Sequence, residues 1–146
     1  MNAKPYITYP GRIKPEQVQR IGDVVSTAYV NEPGQVSSGD IDYVPGWFIA
    51  THHHDTWELI IIDASSPEAG FVLIDGKWWR AEPGSRVFIP KGVPHAWSSG
   101  NDKGFKMLWN YGGSHEESGR AYDADPKTFK PISREEEKNA AVWPGK

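Results

Sequence analysis

The sequence predicts an all-β fold, built as a sandwich or a barrel. From residue 47 onward, seven short stretches with strand character follow one another without a helical pattern between them. Asp75-Gly76 separates two of these stretches as a two-residue hairpin turn, and Pro83-Gly84 and Lys91-Gly92 mark further turns. Short strands at close spacing without intervening helices are typical of a β-sandwich or β-barrel.

The predicted strands span residues 47–54, 57–63, 71–74, 77–82, 86–89, 95–98 and 105–111. Before them, Val18, Ile21 and Val25 have helical spacing, so residues 15–30 are assigned to a short helix, although Gly22 weakens it. The glycines and prolines of residues 31–46 predict turns. The glycines and prolines that follow Tyr111 predict an irregular C-terminal tail over 112–146, in which Ser133 and Glu136 could cap one short polar helix.

Composition excludes several classes of function. The net charge is −3 and no stripe of Lys and Arg is present, which argues against nucleic acid and anionic membranes as partners. The chain has no cysteine, so thiolate metal sites are excluded. The longest aliphatic run, Leu59-Ile60-Ile61-Ile62, is far too short for a membrane span, and the N-terminus lacks the apolar stretch of a secretory signal. We therefore expect a cytoplasmic protein.

Four of the five histidines fall within two short segments, and their spacing indicates a metal site. His52 and His54 are two residues apart, so on a strand their side chains leave the same face. Glu58 follows a tight break at Asp55-Thr56 and can return to that face from the next strand, and His95 must arrive from elsewhere in the fold. Three imidazoles and one carboxylate are a ligand set for a first-row transition metal.

At these residues the chain resembles the cupin superfamily, whose two motifs place glycine, histidine, glutamate and proline at fixed spacings. The matching positions are Gly46, His52, His54 and Glu58 in the first motif, and Gly84, Pro90, Gly92 and His95 in the second. The resemblance covers roughly residues 40–111. It implies a double-stranded β-helix, or jelly roll, as the barrel core of a single domain over 1–146, with irregular extensions at both ends. It also implies a homodimer, because cupins commonly pair.

Other residues are assigned by strand alternation and by position. His53 should point away from His52 and His54, and is interpreted as a packing residue. In the strand over 105–111, Met107, Trp109 and Tyr111 share the aromatic-rich face that should turn inward, which makes Met107 and Trp109 candidates for the wall of a substrate pocket. Core packing is the competing interpretation of that face.

Tyr111 and His115 are the candidate proton donors or acceptors, Tyr111 from the inward face and His115 from a flexible glycine-rich loop; an exposed loop histidine without function is the alternative. Trp78 and Trp79 must point to opposite faces of one strand, so one of them is a candidate for the subunit interface; the N-terminal segment is the alternative.

The predicted centre holds one divalent transition-metal ion per chain, with Fe, Mn, Ni, Co and Zn all compatible with the ligands. Four protein ligands on a metal that prefers six leave two positions for water, substrate or dioxygen. Two enzymatic interpretations therefore remain open: a non-redox isomerase or lyase, and a dioxygenase, each acting on a small oxygenated organic molecule. The alternative is a barrel that binds or senses a small molecule without chemistry. No arginine is evident at a pocket-facing position, so the substrate itself is left open.

Overall fold

Residues 4–144 are described by a computed structural model, and within them the chain forms eleven strands and two short α-helices. Residues 1–3 and 145–146, the ends of the two predicted extensions, lie outside this range. The strands are β1 (Val18–Ile21), β2 (Val24–Glu32), β3 (Val36–Tyr43), β4 (Phe48–His53), β5 (Glu58–Ile62), β6 (Gly70–Ile74), β7 (Lys77–Ala81), β8 (Arg86–Ile89), β9 (His95–Ser98), β10 (Phe105–Tyr111) and β11 (Ala121–Tyr122). The helices are α1 (His115–Ser118) and α2 (Arg134–Asn139).

Two antiparallel sheets form the barrel. The larger sheet has the strand order β1-β2-β3-β10-β5-β8, and the smaller one has the order β11-β4-β9-β6-β7. The chain passes repeatedly from one sheet to the other, so strands distant in sequence become neighbours, as β3 and β10 do. The predicted all-β jelly roll is confirmed.

The seven strands predicted from residue 47 onward are all present, with ends that differ by at most one residue. The hairpin at Asp75-Gly76 is also confirmed, since β6 and β7 pair on either side of it and both residues have positive φ angles, 52° and 74°. The polar helix predicted in the tail is α2. Ser133 accepts a hydrogen bond from the Glu136 N–H, and the Glu136 side chain accepts one from the Ser133 N–H.

The helix predicted over 15–30 is wrong, because β1 and β2 form a hairpin there, with Gly22 at φ 62° in its turn. The β-branched residues Val24, Val25 and Val30 favour a strand, and β2 forms because β3 offers it a pairing partner.

The turn assignment over 31–46 fails at β3. Gly39 lies inside that strand because the Trp109 indole occupies the space that a Cβ would need: an added Cβ would lie 2.3 Å from Trp109 Cζ2. This glycine therefore serves close packing rather than a turn. The larger sheet therefore begins with β1 at Val18, before residues 40–111, which the cupin resemblance covers.

Apolar side chains form two clusters, one on each face of the smaller sheet. The first lies between the sheets and includes Ile60, Ile62, Val72, Trp97 and Met107. The second lies on the outer face of the smaller sheet, where the tail covers Phe71, Trp78 and Ala96 with Phe129 and Ile132.

Trp78 and Trp79 are both covered by their own chain. Trp78 is buried in the second cluster, while Trp79 packs against the first cluster and contacts Trp143 at a ring-centroid distance of 4.5 Å. Tail residues therefore contact both tryptophans within one chain, and the expected interface at one of them stays a prediction. The homodimer itself stays a prediction.

Candidate metal centre and ligand cavity

Three histidines lie together inside the barrel, and we call His52, His54 and His95 the histidine cluster. His52 of β4 is directly opposite His95 of β9 in the smaller sheet, and His54 follows one residue after β4 ends. All three side chains are buried, and one ring nitrogen from each lies within 4.8 Å of the others. The strand spacing that predicted a common face for His52 and His54 is realised in this geometry.

Each ring of the histidine cluster is oriented by a backbone carbonyl. The Nδ1 atoms contact the carbonyl oxygens of Ala50, Gly119 and Val93 at 2.8, 2.5 and 2.9 Å respectively. A carbonyl can only accept a hydrogen bond, so Nδ1 carries the proton in the neutral ring. The lone pair is then on Nε2, which is the arrangement of a metal-binding histidine.

Glu58, at the start of β5, places a buried carboxylate against two of these rings. Its Oε2 lies 3.3 Å from His54 Nε2 and 2.9 Å from His95 Nε2. Among the described residues, these three atoms are buried without a partner in hydrogen-bonding geometry. Facing lone pairs repel one another, so a cation or a shared proton is needed between them. The residues therefore fit a metal ion.

The pKa values of the histidines follow from this environment. Burial, with the nearby His95, lowers the pKa of His52 to about 2, and burial also lowers that of His54 despite the opposing charge of Glu58. Burial works in the same direction on His95, but the Glu58 carboxylate 2.9 Å away outweighs it and raises that pKa. His52 and His54 are thus neutral near pH 7, the state that a metal ligand requires.

His53 points away from the cluster, as strand alternation predicted. Its Nδ1 contacts the Asp123 carboxylate at 2.9 Å on the outer side of β4. Asp55, at the break after His54, is exposed, and its N–H donates to the Ser118 carbonyl at 2.9 Å. Neither residue joins the cluster.

A cavity of about 590 Å³ opens beside the histidine cluster, and His54 forms part of its wall. Its size is ordinary for a small-molecule site. The wall is rich in aromatic and apolar side chains, and it includes Ile41, Tyr43, Trp47, Phe48, Ile49, Trp109, Tyr111, His115, Glu116, Arg120 and Tyr122.

The candidate pocket residues differ in position. Trp109 lines the cavity, and its indole N–H donates to Ser26 Oγ at 3.3 Å. Met107 lies in the first apolar cluster and is not among the residues that line this cavity. Met107 therefore packs in the core, which was the competing interpretation of the inward face of β10.

Both candidate proton-transfer residues line the cavity. The Tyr111 ring lies 4.9 Å from the His54 ring, and burial, followed by the charge of Glu58, raises the pKa of Tyr111 well above its usual value. His115 is exposed, with its ring 5.9 Å from that of Trp109. It does not lie in an open loop: it begins α1, whose N-cap Ser114 accepts a hydrogen bond from the Glu117 N–H.

A second part of the site comprises residues 115–122, which we call the mouth segment, and only His115 of this segment was predicted from the sequence. Its Gly119 carbonyl holds His54, and β11 pairs with β4 so that Tyr122 lies opposite His52. Arg120 and Tyr122 line the cavity, so an arginine does face the pocket, contrary to the sequence-based expectation. A two-residue strand is too short to leave a pattern, which is why it escaped detection.

Comparisons with known proteins agree with this fold. The family model of the AraC-like ligand binding domain matches residues 36–114, which include both histidine motifs. The chain therefore belongs to the AraC-like ligand-binding domain family, and its fold is that of a cupin. No curated protein matches the sequence.

Several solved structures share the fold at low sequence identity. An RmlC-like cupin from Shewanella frigidimarina has a TM-score of 0.63 at 15% identity, with 80% of this chain and 97% of that chain covered. The polyketide cyclase RemF from Streptomyces resistomycificus has a TM-score of 0.64 at 13% identity, covering 86% and 87%. The DMSP lyase DddQ from Ruegeria pomeroyi has a TM-score of 0.60 at 22% identity, covering 81% and 62%.

Among the described residues, no helix is both long and apolar enough to cross a membrane.

Proposed function

We propose that the protein is a metal-dependent enzyme that carries out non-redox chemistry, an isomerisation or a lyase reaction, on a small oxygenated organic molecule. The observation that carries the proposal is the histidine cluster with Glu58: buried nitrogen and oxygen lone pairs that face one another beside a cavity. His52, His54, Glu58 and His95 would hold one divalent transition-metal ion. When bound, such an ion polarises a carbonyl or carboxylate oxygen as a Lewis acid.

The chain's own residues supply binding and proton transfer. Tyr111 lies beside His54 and keeps its proton near neutral pH, so its hydroxyl can donate a hydrogen bond to an oxygen of the bound molecule. His115 lies at the open side of the same cavity, where an imidazole can exchange a proton with water. The aromatic wall excludes water around the ligand, which strengthens these polar contacts. The presence of both groups favours proton transfer over dioxygenase chemistry, which needs neither.

A second candidate function has its own support. The matching family is described as a ligand binding domain, and a cavity with an aromatic wall and few polar groups is also what a sensor requires. In that function the protein binds a small molecule and transforms nothing.

The test begins with protein purified without a metal-affinity tag, on which elemental analysis should find about one transition-metal ion per chain. Turnover is then screened with small oxygenated organic molecules, using metal-loaded and metal-stripped protein, and dioxygen uptake is recorded in parallel. We expect turnover that needs the metal and consumes no dioxygen. Tight binding of a ligand without any turnover would favour the sensor, and dioxygen uptake would favour the dioxygenase.

The proton-transfer residues are tested by Tyr111→Phe and His115→Ala. Each should lower kcat by about two orders of magnitude, the usual contribution of general acid–base catalysis. Tyr9→Phe is the matched control, since Tyr9 is exposed and does not line the cavity, and it should leave kcat unchanged. Full activity in both Tyr111→Phe and His115→Ala would contradict the proton-transfer role.

A further inference from the structure

Arg120 is a charged residue whose position on the cavity wall is set by its neighbours in the chain. Gly119, just before it, accepts the hydrogen bond from His54 Nδ1, and Ala121 and Tyr122, just after it, pair with His53 and His52 of β4. The backbone of Arg120 is therefore anchored on both sides to the strand that carries the metal ligands. Alternation along this segment places Arg120 and Tyr122 on the same side, and both line the cavity.

The guanidinium of Arg120 has no protein partner to neutralise it. It forms no ion pair with any described residue. The nearby carboxylates are engaged elsewhere: Glu116 accepts a hydrogen bond from Asn31 Nδ2 at 3.3 Å, and Asp123 pairs with His53 outside the cavity. Glu58 lies against the histidine cluster at the buried end. The charge of Arg120 is thus available to a ligand.

The charge of Arg120 acts across the whole cavity. Burial is the largest influence on the pKa values of Tyr43, Tyr111 and the three clustered histidines, and the charge of Arg120 reaches all five as a smaller influence that lowers each of them. Three histidines and one carboxylate leave a bound divalent ion a net positive charge, so both ends of the cavity would attract an anion.

We infer that the site takes a small organic monocarboxylate, with its carboxylate paired to Arg120 and its body against the aromatic wall. This inference names the substrate class and rests on the proposed function. One planar guanidinium pairs with one carboxylate through two parallel hydrogen bonds and matches its single charge, whereas the second charge of a phosphate would have no counterpart on Arg120. The remaining wall contributes Ile41, Tyr43, Trp47 and Ile49, which suits an apolar or aromatic body.

The experiment compares two probes of nearly equal shape, 3-phenylpropionate and its neutral amide, by titration calorimetry on metal-loaded protein. The wild type should bind the acid about tenfold to a hundredfold more tightly than the amide, as expected for charge-assisted hydrogen bonds. Arg120→Gln should remove most of this preference, leaving only what the charge of the bound ion supplies. Arg120→Lys should keep a larger part of it, because an ammonium retains the charge but not the paired hydrogen bonds.

Arg86→Gln is the matched control. It removes the same charge from an exposed arginine of β8 that does not line the cavity, and it should leave the preference intact. Because Arg120 is itself exposed, Arg120→Gln should unfold at the wild-type temperature. Wild-type protein that binds acid and amide equally, or that fails to bind the acid, would overturn the inference. So would an Arg120→Gln variant that keeps the preference, or tighter binding of 2-phenylethylphosphonate than of the carboxylate.

The same titration on metal-stripped protein separates this inference from the proposed function. Metal-stripped protein should still bind the acid more tightly than the amide, by a smaller factor. This preference should still depend on Arg120, because Arg120 is not a metal ligand. Absence of bound metal or of turnover in the wild type would count against the proposed enzyme. It would not affect the inference that Arg120 binds a carboxylate. Metal-dependent turnover of neutral molecules only would count against the carboxylate and leave the enzyme standing.

Discussion

The histidine cluster and the mouth segment both border one cavity and are built in different ways. The cluster is buried, and each of its rings is oriented by a backbone carbonyl. The charged side chain of the mouth segment, Arg120, is exposed and has no ion-pair partner among the described residues. Burial keeps His52 and His54 neutral, as metal ligation requires, whereas exposure leaves the guanidinium accessible to a ligand.

One contact joins the two regions. The Gly119 carbonyl of the mouth segment accepts the hydrogen bond from His54, so the exposed region orients one member of the buried one. Most substitutions in one region should therefore leave the other region unchanged. A substitution at Gly119 should affect both regions. Three experiments test that division.

The largest effect is expected from His95→Ala, which removes a proposed metal ligand and leaves Glu58 Oε2 without the imidazole that lies 2.9 Å away. Bound metal should fall to the background of elemental analysis, and added metal should no longer raise the unfolding temperature. His53→Ala is the control, because His53 neighbours two cluster residues but faces Asp123. Metal retained by His95→Ala, or lost equally in His53→Ala, would refute the ligand assignment.

An intermediate effect is expected from Gly119→Ala. Gly119 has φ 57° and ψ −170°, a conformation that only glycine adopts readily, so alanine should cost about 1–3 kcal/mol of unfolding free energy. The cost is conformational, since the nearest atom to an added Cβ, Asp55 Oδ2, is 3.7 Å away. Displacing the carbonyl that holds His54 should also weaken metal binding by about tenfold to a hundredfold.

Gly22→Ala provides the comparison for that variant. Gly22 has φ 62° in the turn between β1 and β2, and an added Cβ would have no atom within 4 Å. It should show a loss of unfolding free energy in denaturant titration but unchanged metal affinity. Equal metal affinity in Gly119→Ala and Gly22→Ala would contradict the proposed coupling between the mouth segment and the histidine cluster.

The smallest effect is expected from the two helix caps. Ser114→Ala and Ser133→Ala each remove a side-chain acceptor from a helix N-terminus and should each cost about 1 kcal/mol in unfolding free energy. Only Ser114 supports α1 of the mouth segment, so only Ser114→Ala should weaken binding of 3-phenylpropionate, by less than tenfold. A similar change in binding for both variants would show that the tail and the mouth segment respond together.

Much of this protein was determined by local sequence. Hydrophobic alternation and turn residues predicted seven strands with nearly correct ends, because strand side chains alternate strictly and Asp-Gly suits a tight hairpin. The spacing of His52 and His54 placed both rings on one face for the same reason, and the motif positions predicted that His95 and Glu58 would join them. These features depend on neighbours close in the chain, or on spacings that the cupin resemblance makes recognisable.

The tertiary structure alone decided the rest. Residues 18–43 became strands because β10 offered β3 a pairing edge and Trp109 filled the space above Gly39, a contact between residues seventy positions apart. Arg120 reached the cavity because two residues after it pair with β4, and His54 found its acceptor at Gly119, 65 residues away. Such contacts leave no periodic pattern in the sequence, since pairing and burial across the barrel, rather than local preference, determine which residues meet.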